Sequence, residues 1–138
     1  EPVYKLLRSF ANFSIFGKPV GRDVNYCSFV QEGKTCIRWD GEVCPCIALL
    51  HSSKTYLYTF ERRTRFASFG SVADSTLQQV WDSDAYASFR ERIIAWDFPA
   101  CTVCGACDML EENETDCYNN PFPACGGCLW AQGFIQCP

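Results

Sequence analysis

The sequence predicts an α+β fold: a small cysteine-rich domain with a β-hairpin, two short-to-medium helices and an irregular metal-binding C-terminal tail. Three observations carry this reading. An Asp40-Gly41 pair separates two strand-like runs, Thr35–Trp39 and Glu42–Ile47. Asp-Gly between such runs signals a hairpin, because a type I′ turn needs positive φ at both central residues. Tyr86, Phe89, Ile93 and Trp96 recur at three- and four-residue spacing, the apolar stripe of a helix. Seven of the eleven cysteines lie from Cys101 onward, with two-residue gaps between Cys101, Cys104 and Cys107 and again between Cys125 and Cys128. Such a gap lets a tight turn present both sulfurs to one metal or cluster.

The totals bound the function classes. A chain of 138 residues is of ordinary size for one domain, and eleven Phe, six Tyr and four Trp supply a modest core rather than a disordered tail. The net charge of −4 argues against nonspecific nucleic-acid binding. No apolar run is long enough to span a bilayer, and the opening residues EPVYKLLRSF lack the apolar stretch and cleavage site of a signal peptide. The expectation is a cytoplasmic chain with neither nucleic acid nor membrane among its partners.

In chain order, Val3, Leu6, Leu7 and Phe10 have helix-like spacing, residues 11–16 suit a strand, and Gly17, Pro19 and Gly21 break regularity. The hairpin follows, with Cys36 on one arm and Cys44 and Cys46 on the other. Two apart on an extended strand, Cys44 and Cys46 share a face, and Pro45 marks an edge or strand end. A short strand is expected around Tyr56–Phe60. His51, the single histidine, reads as a solvated loop residue. Arg62, Arg63 and Arg65 read as a solvated face, with a phosphate-bearing or anionic partner as the sharper alternative.

Phe69–Val72 reads as a turn. Ser75-x-x-Gln78 has the capping-box pattern and opens a helix over roughly Thr76–Trp81. Ser83 or Asp82 caps a second helix over Asp84–Trp96, with Arg90, Glu91 and Arg92 on its polar face. Phe98-Pro99 delivers the chain to Cys101. Asp108 to Asp116 is acidic and expected to be an exposed loop. Gly105, Gly126 and Gly127 suit turns at positive φ. Leu129, Trp130, Phe134 and Ile135 offer apolar cover for a metal centre.

Three chemistries compete for the cysteines. Disulfides alone leave one of eleven thiols over. A four-cysteine zinc site can be built from Cys101, Cys104, Cys125 and Cys128, which would make the chain a structural zinc-binding protein-interaction module. That leaves Cys107, Cys117 and the hairpin cysteines unexplained. Two four-cysteine [4Fe–4S] sites use eight of the eleven and account for the most.

The cysteines also stand in a recognisable order. Cys27 is followed by thirteen residues, Gly41, and then Cys46 within the stretch WDGEVCPC. Phe69-Gly70-Ser71-Val72 precedes Leu77-Gln78-Gln79-Val80-Trp81. Cys101-x2-Cys104, Cys125-Gly-Gly-Cys128 and Cys137 close the pattern. Together, over residues 24–138, these resemble the SPASM domain, the auxiliary-cluster extension of many radical S-adenosylmethionine (SAM) enzymes.

The resemblance implies two [4Fe–4S] clusters in part of a radical SAM maturase. Its partner would be an upstream radical SAM barrel, with residues 1–23 as the linker or tail of that barrel. The clusters would serve electron transfer or substrate positioning for a peptide, protein or pterin-cofactor substrate. The family's interleaved ligation, carried over, gives one cluster Cys27, Cys36, Cys46 and Cys128, and the other Cys101, Cys104, Cys125 and Cys137. The chain departs from the family in an insertion carrying Cys107 and Cys117, and in a last spacing of two residues instead of three. Cys44, Cys107 and Cys117 therefore stand as alternate ligands, Cys107 for Cys125 among them. The radical-generating Cys-x3-Cys-x2-Cys motif is absent from these 138 residues. The ending from Cys128 to Pro138 is similar to that of maturases associated with tungsten-cofactor aldehyde oxidoreductases.

Overall fold

The computed structural model describes residues 14–15, 18–19, 25–57, 59–102, 104 and 107–135. The helix expected from Val3 to Phe10 lies outside the described residues, as do Gly105 and Cys137. Within the strand expected over 11–16, Ser14–Ile15 (β1) pairs antiparallel with Lys18–Pro19 (β2).

The fold is α+β. The expected hairpin forms from Cys36–Ile37 (β3) and Val43–Cys44 (β4), with Cys36 opposite Cys44 and Ile37 opposite Val43. Its turn differs from the type I′ expectation. Gly41 N–H donates to the Arg38 carbonyl at 2.9 Å, and Arg38 N–H donates to the Glu42 carbonyl at 2.8 Å. This is a three-residue loop, in which Gly41 alone takes a positive φ, +90°, as the bulge residue. Asp40 instead braces the turn through its side chain, accepting from Arg38 Nε at 2.9 Å and from Glu42 N–H at 3.3 Å.

Phe69–Val72 is not a free turn but lies along this hairpin. Val43 N–H donates to the Gly70 carbonyl at 2.8 Å, and Phe69 N–H donates to the Val43 carbonyl at 2.9 Å. The outer edge of β4 is thereby satisfied.

A second hairpin joins Ser53–Leu57 (β5) to Phe60–Thr64 (β6), from Ser53 opposite Thr64 to Leu57 opposite Phe60. The strand expected at Tyr56–Phe60 is only its tip, because the charge run after Glu61 disguises the period-two alternation of β6. Successive strand side chains point to opposite faces. Glu61 and Arg63 pair with each other at 3.3 Å, and Lys54 joins Glu61 at 3.0 Å. Arg62 leaves that face.

Thr76, not Ser75, caps the Leu77–Trp81 helix. Its Oγ1 accepts from Gln79 N–H at 3.2 Å, and Gln79 Oε1 accepts from Thr76 N–H at 2.9 Å. The box sits one residue downstream because Ser75 belongs to the preceding turn, its N–H donating to the Ser71 carbonyl at 3.1 Å. Ser83 caps the Asp84–Ala95 helix, and Trp96, in the left-handed region, ends it.

Tyr86, Phe89 and Ile93 are buried from this helix and join Val30, Val43, Val80 and Phe98 in the core. Phe69 stacks on Tyr86 at 4.5 Å between centroids. Burying one such side chain stabilises by about 1.5–3 kcal/mol, so the stripe dominates local stability. Arg90 and Arg92 do not occupy a solvated face. Arg90 lies 4.1 Å over the Trp81 ring and donates to the Trp81 carbonyl at 2.7 Å, and Arg92 donates to the Pro121 carbonyl at 2.9 Å. Their long stems cover apolar surface while their heads satisfy backbone carbonyls. Cys27 and Cys125 pack against the same core, which is how the core positions the site.

The acidic segment is more than an exposed loop. A short 3-10 turn, Asp108–Glu111, opens it, while Asn113 and Asp116 are buried. The Asn113 amide accepts from Arg65 N–H at 2.7 Å and donates to the Arg65 carbonyl at 3.1 Å. Arg63 faces Glu111 and Glu112, and Arg65 pairs with Glu114 at 2.6 Å. Two of the three clustered arginines thus find their anionic partner inside the chain. His51 is exposed. Among the described residues, no helix is long and apolar enough to cross a membrane.

Candidate metal centre

Cysteines from three separate stretches meet beside the core. Cys27 precedes the Ser28–Gln31 helix. Its lead-in is tied to the far end of the chain, since Tyr26 N–H donates to the Ala131 carbonyl at 3.2 Å and Gln132 Nε2 donates to Asn25 Oδ1 at 3.1 Å. Cys46 follows β4 through buried Pro45 and opens a short 3-10 turn, Ile47–Leu49. Cys125 and Cys128 flank a tight turn closed by Cys128 N–H donating to the Cys125 carbonyl at 2.9 Å.

These thiols feel one another. Burial first, and then Cys125, Cys128 and Cys27, hold the Cys46 thiol well above its ordinary range. Burial first, and then Cys128 and Cys27, do the same to Cys125. Gathered thiolates repel, and a cationic metal centre relieves that repulsion. Tyr26, Phe29, Ile47 and Trp130 line the apolar cleft around Cys27, Cys46 and Cys128. Of these Phe29 is buried, as is Leu129, whereas Tyr26, Ile47 and Ile135, the last expected as cover, are exposed.

The two glycines of the Cys125–Cys128 turn are needed for a different reason than expected. Neither is at positive φ. A Cβ on Gly126 would stand 2.4 Å from the Pro99 carbonyl oxygen and 3.3 Å from Cys101 Sγ. One on Gly127 would stand 1.8 Å from Arg62 Nη1. Close approach, not backbone handedness, excludes a side chain at Gly126, where the neighbour is backbone, while at Gly127 a side chain would push the Arg62 head aside.

Cys101 lies against this turn and looks toward a second group. Burial raises its thiol, Arg62 draws it down, and Asp116, Cys117 and Cys107 raise it further. The insertion cysteines are therefore neighbours of Cys101. Hydrogen bonds hold Cys117 there. Asp116 accepts from Tyr118 N–H at 2.9 Å, and Asn120 Nδ2 donates both to Asp116 at 2.8 Å and to the Asp97 carbonyl at 2.8 Å. The turn carrying Cys117 is thus fastened to the segment leading into Cys101. Cys104, Cys107 and Cys117 are exposed.

Cys44 and Cys46 look onto different surroundings, because β4 ends at Cys44. Cys44 is fully buried, and burial pushes its thiol up to about 11, against Arg38, which draws it down, and with Cys36 beside it. It is a neutral core thiol. Cys36, opposite it, is partly buried. The Tyr86 hydroxyl, raised mainly by burial, also feels Cys46 and Cys36. None of the ten described cysteines is in a disulfide. Among the described residues, no three His, Cys, Asp or Glu side chains stand close enough to grip a single ion. A polynuclear cluster takes one thiolate per iron and spreads its ligands more widely.

Arg62, read from the sequence as part of a solvated or anion-facing run, and Ser28 and Thr102, which the sequence does not single out, complete the site. Arg62 donates Nη1 to the Leu110 carbonyl at 3.0 Å and Nη2 to the Ala124 carbonyl at 3.5 Å. Burial depresses its pKa, while Cys128, Cys101 and Cys125 raise it. Period-two alternation along β6 would have separated it from Glu61 and Arg63. Ser28 Oγ and Thr102 Oγ1 are buried with no hydrogen-bond partner among the described residues. Each directly follows a candidate ligand, Cys27 or Cys101. An unpaired buried hydroxyl costs about 1–3 kcal/mol. The sulfurs of a cluster would supply the missing acceptors. Convergent thiols, a turn packed closely against Pro99 and Arg62, and two orphaned donors fit an iron–sulfur cluster.

Comparison with known proteins points the same way. The SPASM family model, an iron–sulfur cluster-binding domain, matches residues 27–108. Over 115 residues the chain is 36% identical to the tungsten-containing aldehyde ferredoxin oxidoreductase cofactor-modifying protein of Pyrococcus furiosus, a match covering 81% of this chain and 32% of that protein. The chain thus spans about a third of the length of that curated relative. No solved structure matches the chain. From its matched length and its gathered thiols, the chain belongs to the SPASM family of iron–sulfur cluster-binding domains.

Proposed function

We propose that this chain is the auxiliary-cluster part of a cytoplasmic radical SAM maturase that modifies a cofactor, and that it holds two [4Fe–4S] clusters. The observation that carries the reading is the meeting of Cys27, Cys46, Cys125 and Cys128 from stretches far apart in sequence. In this reading Cys27, Cys46 and Cys128 hold the first cluster, with Cys36 or Cys125 as the fourth ligand. Cys101 and Cys104 begin the second, which is completed from among Cys107, Cys117, Cys125 and Cys137.

Bound clusters supply one-electron chemistry or an open iron for a substrate. The chain's own residues hold, shield and hydrogen-bond them. Phe29 and Trp130 give the first site apolar cover. The unsatisfied hydroxyls of Ser28 and Thr102 would donate to cluster sulfur. The partner is a radical SAM barrel upstream, joined through residues 1–23. The Pyrococcus furiosus relative is named for modifying a cofactor, which favours a cofactor over a peptide or protein as the substrate.

The test is anaerobic reconstitution of the intact protein with iron and sulfide analysis. Cys128→Ala is expected to lose about four iron and four sulfide per chain, the content of one cluster, and to leave the second cluster's signal. Zinc without sulfide, in a protein that cannot be reconstituted with iron, overturns the reading.

A further inference from the structure

We infer that Arg62 is a charge-setting residue, a half-buried cation shared by the two cluster sites that raises the reduction potential of both. The inference rests on the two-cluster reading above.

Geometry places the guanidinium between the two cysteine groups. It lies so close to Gly127, inside the Cys125–Cys128 turn, that a Cβ there would fall 1.8 Å from Nη1. Its two hydrogen bonds reach one carbonyl from each side. Leu110 lies in the 3-10 turn that follows Cys107, and Ala124 directly precedes Cys125. The side chain is therefore fixed, and its charge with it.

The surroundings supply no ordinary counter-charge. Arg38 pairs with Asp40, Arg63 with Glu61, and Arg65 with Glu114. Among the described residues no carboxylate pairs with Arg62. The anionic groups that favour its charge are Cys128, Cys101 and Cys125. Even partly desolvated, a guanidinium without a carboxylate is costly, and thiolate-ligated clusters are the anions that offset it. Adding one electron makes such a cluster more negative. A fixed cation in a low-dielectric surrounding favours that state over the oxidised one. Arg92 provides the internal contrast. It also neighbours Cys125, but Asp116 stands beside it as a second counter-charge.

The experiment is an EPR-monitored redox titration of the reconstituted intact protein, with dithionite as the electron source. Arg62→Gln is expected to keep its iron and sulfide and to weaken the reduction equilibrium about tenfold, or about 59 mV for one electron. Arg62→Lys keeps the charge and is expected to stay within about threefold of wild type. Arg92→Gln is expected to move the potentials less than Arg62→Gln. Unchanged potentials in fully loaded Arg62→Gln overturn the inference. So does an Arg62→Lys shift as large as that of Arg62→Gln, because the hydrogen bonds would then matter rather than the charge. Loss of iron from both Arg62 variants also overturns it and makes the residue a brace. A wild-type protein that takes up no iron and sulfide defeats the cluster reading itself, before any variant is compared.

Discussion

Tyr86 donates its phenolic hydrogen to Thr35 Oγ1 at 2.8 Å, and Thr35 Oγ1 donates onward to the Cys44 carbonyl at 2.9 Å. The long helix is thereby bonded to the first hairpin through a buried polar relay, beside the ring stack with Phe69. A buried tyrosine hydroxyl needs such a partner. Tyr86→Phe removes the donor but keeps the ring, so it is expected to destabilise by about 1 kcal/mol. Tyr86→Ala also opens a cavity under Phe69 and is expected to cost about 3–5 kcal/mol. Urea denaturation of the intact protein measures both. Equal costs for the two variants would mean that the relay, rather than the ring, holds the helix.

Cys44 and Cys46 differ in fate although one residue separates them. Cys44 is a core thiol with no exposed surface, and Cys46 stands with the gathered cysteines. Cys44→Ala is expected to cost about 1 kcal/mol of stability while retaining all its iron. Cys46→Ala is expected to lose about four iron per chain. Iron analysis beside a denaturation curve separates the two effects.

Gly126 and Gly127 lie in the same turn but meet different neighbours. The Cβ of Gly126→Ala meets the Pro99 carbonyl, which is backbone and cannot swing away. That of Gly127→Ala meets the far end of the Arg62 side chain. Gly126→Ala is therefore expected to destabilise by about 2–4 kcal/mol and to impair iron uptake. Gly127→Ala is expected to fold, displace Arg62 and shift the cluster potentials in the same direction as Arg62→Gln. Thermal denaturation and redox titration of the two variants check the ranking.

The first hairpin was legible because Asp40-Gly41 and the flanking runs announce it, though its turn type was not. A type I turn with a bulge uses the same Gly, and only the pairing register tells the two apart. The Asp84–Ala95 helix was legible from its apolar stripe. The second hairpin was hidden because β6 carries Glu61, Arg62 and Arg63, whose charges mask alternation. The partners that make those charges tolerable, Glu111, Glu112, Leu110 and Ala124, lie some fifty to sixty residues away in sequence. For the same reason Asn113 reads as part of a solvated acidic loop, since its partner is Arg65, whereas Asp116 is buried by a local turn in which Tyr118 and Asn120 donate to it. At the site, spacing identified the cysteines as a class. It could not sort Cys125 from Cys128, or reveal that Cys107 and Cys117 neighbour Cys101, because those relations are made by hydrogen bonds between loops.

The raised thiols give the iron-free and iron-loaded proteins opposite responses to pH. In an unfolded chain the thiols ionise near the ordinary value of 9.0, whereas in the fold Cys44 holds its proton to about 11, and burial and neighbouring thiols hold Cys46 and Cys125 well above the ordinary range. Above 9.0 the folded iron-free protein therefore binds more protons than the unfolded chain, and its stability falls as pH rises. Below 9.0 the contribution is fully present. Loading reverses the sign for the ligands, because cluster-bound cysteines are deprotonated in the fold while the unfolded chain still carries their protons. The loaded protein is then expected to gain stability as pH rises from about 7 toward the thiol range. Denaturation midpoints of both forms, measured anaerobically at about half-unit steps across that interval, are expected to stay flat and then fall for the iron-free form, and to rise for the loaded form. Parallel curves would mean that the thiols near Cys125 do not exchange their protons for metal.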